Sequence, residues 1–232
     1  MLRRDHFPGG LALATVLLAV GACSSTSPRA TQAVLVLLKA NATPQRSSQS
    51  ASAVEITGVR LVIRQAALGN GEEFGCVDCQ GDEQGGNPEP AVVTVPLDGS
   101  PVSVAAERVA PGHYSSVEIE LVPPPPALLA ATPGWSAGAT IEVRGRYNGT
   151  AFTLPLAIPG QFREALSPAI DVPAGGLPGP INVTITLPVA SWFASNGTPL
   201  DPNDAAARSQ ITANARAAVT VGGETEKDAG EH

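Results

Sequence analysis

Apolar and polar positions along this chain recur mostly with a period of two, the spacing of strands rather than helices. The clearest run is Tyr114–Val122, opened by a turn at Pro111-Gly112. There Tyr114, Ser116, Glu118 and Glu120 alternate with Ser115, Val117, Ile119 and Leu121, which predicts a strand with one wet and one buried face. Ile181–Leu187 alternates as cleanly and places Ile181, Val183, Ile185 and Leu187 inward. Ala33–Lys39 is a continuous apolar run and reads as a buried first strand. Val54–Gln65 is the second, and Gly58 inside it marks a bulge or a close neighbour. Ala91–Leu97, Val102–Val109 and Phe162–Val172 read as further extended segments.

Turn chemistry punctuates these runs. Asn148-Gly149 suits the positive φ angles of a type I′ turn, so Thr140–Tyr147 and Thr150–Leu156 form a β-hairpin. Residues 123–126 are four prolines that end the central strand and enforce an extended crossing, a connector between two sub-sheets joined at 123–138. Residues 174–180 form a Gly-Pro loop. Asp201-Pro202 reads as an N-cap followed by proline at the first helical position, opening a short helix over Ala205–Ala215. Residues 217–221 read as a last strand and 222–232 as a charged tail. The whole predicts a mainly β protein over residues 31–221. Its expected form is an antiparallel β-sandwich, immunoglobulin-like or transthyretin-like, with one short C-terminal helix.

The first two dozen residues follow a different logic. Arg3 and Arg4 precede an apolar run from Leu11 to Val20, broken only by Thr15 and ending in Val20-Gly21-Ala22-Cys23. A basic start, a short apolar core and small residues before a cut site describe a secretory signal over 1–22. The run is shorter than the ~20 residues a spanning helix needs. With Cys23 directly after the small pair, the segment resembles a bacterial lipoprotein signal. That resemblance implies acylation of Cys23 and cleavage before it, with two or more acyl chains holding the product at a membrane. Ser24 after the cysteine resembles the pattern of lipoproteins sent to an outer membrane. Residues 23–30 are then a lipidated tether.

Cys76 and Cys79 remain. An even remainder in an oxidising compartment suggests a disulfide across that short loop, with a redox pair or free thiols as alternatives. They sit in an irregular stretch, 69–90, that carries six acidic residues (Glu72, Glu73, Asp78, Asp82, Glu83 and Glu89). Such a cluster could bind calcium through oxygen ligands, but the spacing is not that of an EF-hand and a solvated loop explains it more simply. The formal net charge is −7 with no basic run, which argues against a nucleic-acid partner.

Ala110-Pro111-Gly112-His113-Tyr114, with Val117 and Ile119 beyond it, resembles the turn into a central strand of the DUF4382 family of bacterial lipoproteins. Gly145, Tyr147-Asn148-Gly149, Phe152, Trp192-Phe193 and Asp201-Pro202 carry the likeness through the later half. The resemblance implies a β-sandwich and brings no activity or catalytic residues with it. The residues themselves predict no enzyme. No nucleophile elbow, phosphate loop or zinc helix is present, and a triad at His113 would need a Ser and a carboxylate beside it. Glu118 and Glu120 share a strand face, as solvated acids commonly do. A structural or interaction scaffold in the envelope is the expected role, with an envelope protein or glycan as partner. A carbohydrate- or calcium-dependent binding module at the cell surface is the alternative. Its aromatic candidates are Trp135, Tyr147 and Trp192, with oxygen ligands over 196–204. Trp192 and Phe193 read first as core closure. No metal site or cofactor other than the lipid on Cys23 is expected.

Overall fold

A computed structural model describes residues 31–42, 54–69 and 89–218. Cys23, Cys76 and Cys79 lie outside these, as do the signal, the tether, the tail and nearly all of the acidic stretch. Within them the chain is a β-sandwich, as its alternation predicts.

The smaller sheet has three strands. β1 (Gln32–Ala40) lies between β4 (Val102–Val109) and β9 (Ile181–Leu187). β1 runs antiparallel to β4 but parallel to β9, so the sandwich departs from the purely antiparallel pattern at this pair. Val34, Val36 and Leu38 of β1 point into the core beside Val183 and Ile185 of β9. The apolar run that opens the described chain is thus only half used: Leu35 and Leu37 turn to the other face and stay half-buried.

The larger sheet is built on β2 (Val54–Gly69), four residues longer than its hydrophobic pattern suggests. It contains β3 (Ala91–Val95), β5 (Gly112–Leu121), β6 (Ile141–Tyr147), β7 (Thr150–Leu156) and β8 (Gly160–Val172). Val59 pairs with both Val95 and Val143, and Ile63 with both Ala91 and Leu121. A residue has only two edges, so β3 holds one edge of β2 while β5 and β6 follow one another along the other. Val62 marks the junction: its N–H donates to Thr140 and its carbonyl accepts from Val122. β7 and β8 continue one another in the same way beyond them, since β7 pairs with β6 and β8 with β5. Strands β5 to β8 therefore make one long hairpin with its tip at Asn148-Gly149. Both tip residues have positive φ, 50° and 83°, as the sequence requires of that turn.

The expected connector between sub-sheets is corrected by this arrangement. Residues 122–140 leave the larger sheet and return to it at the same place, carrying α1 (Pro126–Ala131) with Pro126 at its start. A proline at the first helical turn loses no hydrogen bond, so the run that ends a strand also opens a helix. Thr140, fully buried, ties the return: its hydroxyl lies 3.3 Å from the Leu156 carbonyl and accepts from the Ile158 N–H at 3.0 Å.

Three irregularities, two in β2 and one in β5, set which face each side chain meets. The register shifts between Ile56 and Gly58, where the glycine was read as a bulge, and again between Ile63 and Gln65. In β5 the shift lies between Tyr114 and Ser116. Such irregularities can reverse the alternation of faces. Tyr114 is therefore 3% exposed and shares the core with Val117, Ile119 and Leu121, rather than lying on the wet face with Glu118 and Glu120. Its hydroxyl donates to the Ala110 carbonyl at 2.9 Å.

The end of the sandwich is closed by α2 (Val189–Trp192), the small ribbon of β10 (Ala194–Ser195) with β11 (Thr198–Pro199), and α3 (Ala205–Ala217). Trp192 and Phe193 are buried, and Phe193 lies 5.6 Å from the ring of Phe152. Ile211 and Ala215 of α3 cover them, and the Asn214 amide donates to the carbonyls of Trp192 and Ala194 at 3.0 Å each. The cap of α3 is Asp204, whose carboxylate accepts from the Ala207 N–H at 2.7 Å. Asp201 instead holds the preceding turn by accepting from Asn203, so the expected cap sits one turn too early. α3 also absorbs Ala217, and residues 219–221 of the expected last strand lie outside the described residues.

Candidate functional site

The densest polar cluster lies on the outer face of the larger sheet, at the β5–β6 junction. Even-numbered residues of β2 point outward there. Arg60 stands beside Glu142 of β6, its register partner, and Val62 beside Val122. The 122–140 excursion folds back over them. Trp135, Ala139, Leu128 and Leu129 pack with Val62 and Val122 as a second, small apolar cluster. Trp135 lies over the Arg60 guanidinium at 4.9 Å, and its indole N–H donates to the Ala139 carbonyl at 2.9 Å. A cation on an indole face is attracted by the ring quadrupole, more strongly when water is excluded.

Glu142 is 1% exposed and receives Arg60 at 2.5 Å and Arg144 at 2.8 Å. Both arginines bond the same carboxylate oxygen, Oε1, and Oε2 has no hydrogen-bond partner. A buried carboxylate with two guanidinium partners has its charge balanced locally. Arg64–Glu120, at 2.9 Å, continues the charged face along the junction. Beyond it, burial pushes the Glu118 carboxyl up, against the downward pull of Arg163. The cluster is a sheet-stabilising ion network under a tryptophan lid.

The remaining candidates are placed as follows. Trp135 and Trp192 are both buried, at 7% and 0% exposure, and neither presents a ring to solvent. Tyr147 is half-buried at the hairpin tip, packed against the main core, so the three do not form one platform. His113 and Asp171 face one another across β5 and β8 at 2.6 Å, both exposed, as a surface pair. In 196–204 the carboxylates of Asp201 and Asp204 are engaged by main-chain N–H groups in a turn and a cap. Among the described residues, no three His, Cys, Asp or Glu side chains gather as metal ligands.

Two recesses stand out among the described residues. One, about 370 Å³, lies at the α2 end and is lined by side chains without polar groups, among them Val54, Ile56, Phe193 and Pro199. The other, about 270 Å³, opens between the sheets, with Leu38 and Leu187 on one side and Leu61, Ile63, Ile119 and Leu121 on the other. Small-molecule sites add a few convergent polar groups to an apolar lining to fix orientation. The side chains lining these recesses supply none.

One titratable group was not singled out by its pattern. Glu107 of β4 pairs with Val34, a fully buried position, and so turns toward the interior from an edge strand. Burial pushes its carboxyl up to about 7, and its Oε2 is shielded without a partner. In sequence it follows two alanines and precedes Arg108, which gives no hint of an inward charge.

No protein-family model, curated protein or solved structure matches this chain.

Proposed function

We propose that this chain is a bacterial envelope lipoprotein, anchored by lipid on Cys23 at the outer membrane, whose β-sandwich is a structural or interaction scaffold rather than a catalyst. The observation that carries the scaffold reading is the burial of Trp135 and Trp192. A glycan-binding surface needs exposed rings, and these are spent on packing. The anchor rests on the signal-like residues 1–22 and on Cys23. The likeness to the DUF4382 family belongs to the same proposal and supplies no chemistry of its own.

Metabolic labelling with a palmitate analogue tests the anchor. The natural chain takes up label and partitions with membranes, whereas Cys23→Ala takes up none. Equal absence of label from both, with the chain in the soluble fraction, overturns the anchored reading.

A further inference from the structure

Most sheet edges in this molecule carry a guard against pairing with another strand. β4 turns Glu107 inward and has a register shift against β1. β7 carries Pro155, β8 carries Pro168, and β3 has five residues. Charges, prolines, irregularities and shortness are the usual devices for blunting an edge. β9 has none. Its seven residues, Ile-Asn-Val-Thr-Ile-Thr-Leu, include no proline, glycine or charge, and its register against β1 is unbroken.

The free groups on that edge follow from alternation. The Leu187 carbonyl accepts from Asn41 on the β1 side, so Leu187, Ile185 and Val183 direct their main-chain groups to β1. Asn182, Thr184 and Thr186 therefore turn their N–H and C=O groups to the open edge. Among the described residues no turn or loop main chain bonds to them. Their side chains share the outer face with Leu35 and Leu37, which pair with Asn182 and Thr184 and lie outside both apolar clusters. The Asn182 Oδ1 is shielded from solvent and has no partner.

We propose that β9 is a self-association edge, pairing antiparallel with β9 of a second copy about a two-fold axis at Thr184. In that register Thr184 faces Thr184 of the second copy, and Asn182 faces Thr186 of the second copy in both directions. The three bonded pairs supply about six main-chain hydrogen bonds, two for each pair. The Thr186 hydroxyl of the second copy donates to Asn182 Oδ1, the acceptor now without a partner. A cross-strand Asn–Thr pair that reads the same from either copy is what an isologous interface requires. No like charges meet at the axis. Pairing joins two three-stranded sheets into one of six and makes the Leu35–Leu37 faces continuous. The contact is small, below the ~1,200 Å² of a standard interface, so a dimer in the micromolar range is expected. It does not depend on lipid at Cys23.

The full chain, purified in detergent, tests this by sedimentation from about 10 to 500 µM and by oxidative cross-linking, each against the natural chain to account for its own cysteines. Facing Cα atoms in a bonded pair are about 5.5 Å apart, within disulfide reach. Thr184→Cys cross-links to itself. Asn182→Cys alone does not, but cross-links when mixed with Thr186→Cys. Thr184→Lys sets two charges against each other at the axis and weakens association at least ~10-fold while leaving the thermal midpoint of the dilute monomer unchanged, which separates lost pairing from lost folding. A monomer across the whole range overturns the proposal and leaves the edge to a strand of another protein. Self-cross-linking of Asn182→Cys as strong as that of Thr184→Cys, or an undiminished Thr184→Lys dimer, overturns it as well.

Discussion

Breaking a buried ion pair leaves its other member without a counter-charge, and Glu142 is shared by two arginines. Glu142→Gln leaves Arg60, whose side chain is 20% exposed, without its counter-charge under Trp135. We expect a loss of about 3 kcal/mol in urea unfolding, the scale for breaking a buried pair. Arg144→Ala costs less than about 1 kcal/mol, because its side chain is 46% exposed. Glu107 gives a pH signature of opposite character. Its native carboxyl, near 7, holds a proton that the unfolded chain releases at an ordinary carboxylate value near 4.5. Between those values the native state binds more protons, so stability falls as pH rises from 4.5 to 7 and is then level. Glu107→Gln removes this slope and raises stability at pH 8 by about 1–2 kcal/mol, a figure reduced for partial solvent access. Thermal midpoints of both chains across pH 4–8 check it. Glu107 was illegible because its neighbours give no hint of an inward charge, and Glu142 for another reason. A strand pattern names faces, and Glu142 lies on a face that is wet elsewhere, at Arg144 and Arg146. Only the returning 122–140 excursion dries it. Trp192 and Phe193, by contrast, were legible as core closure because they follow a strand with an unambiguous inner face.

Element boundaries follow the local chemistry, except that β2 runs four residues further than its pattern and α1 interrupts a stretch expected to be extended. The Asn148-Gly149 hairpin and the Gly58 bulge were readable because each needs a backbone geometry that few residues adopt. The Tyr114–Ser116 shift was not, since Ser115 and Ser116 fit either face and nothing in the pattern marks the irregularity. The α3 cap was misplaced because Asp201-Pro202 and Asp204 both satisfy capping rules, and the main chain chose the later one. Asp204→Ala should cost about 1 kcal/mol, and Asp201→Ala clearly less, in the same unfolding measurement. Gly145 in β6 allows no side chain for a different reason. A Cβ there would stand 2.3 Å from the Glu55 carbonyl and 2.7 Å from the Phe152 ring. Gly145→Ala must part β6 from β2 or displace Phe152 from Phe193, a loss of about 2–3 kcal/mol on the scale of overpacked cores.

At the scale of the molecule, β1 is the strand that joins β4 and β9 into one sheet. It is central in the smaller sheet, and its partner β9 lies more than a hundred residues away in sequence. Pairing of this kind is invisible to a local pattern, which reports faces and turns but not neighbours. It is also slow to form, because the loop must close before the contacts reward it. A chain lacking residues 32–40 should show no cooperative thermal transition, while far-ultraviolet circular dichroism still reports the 141–156 hairpin. The junction at Val62 has a different consequence. The sheet resumes at Thr140 where it stopped at Val122, with both ends held by one residue, so the ladder places no demand on how much chain lies between them. That makes the detour a place where the polypeptide can grow or shrink in length without re-threading the sandwich. A reporter domain spliced into it would ride on the outer face while the hairpin beneath keeps its register.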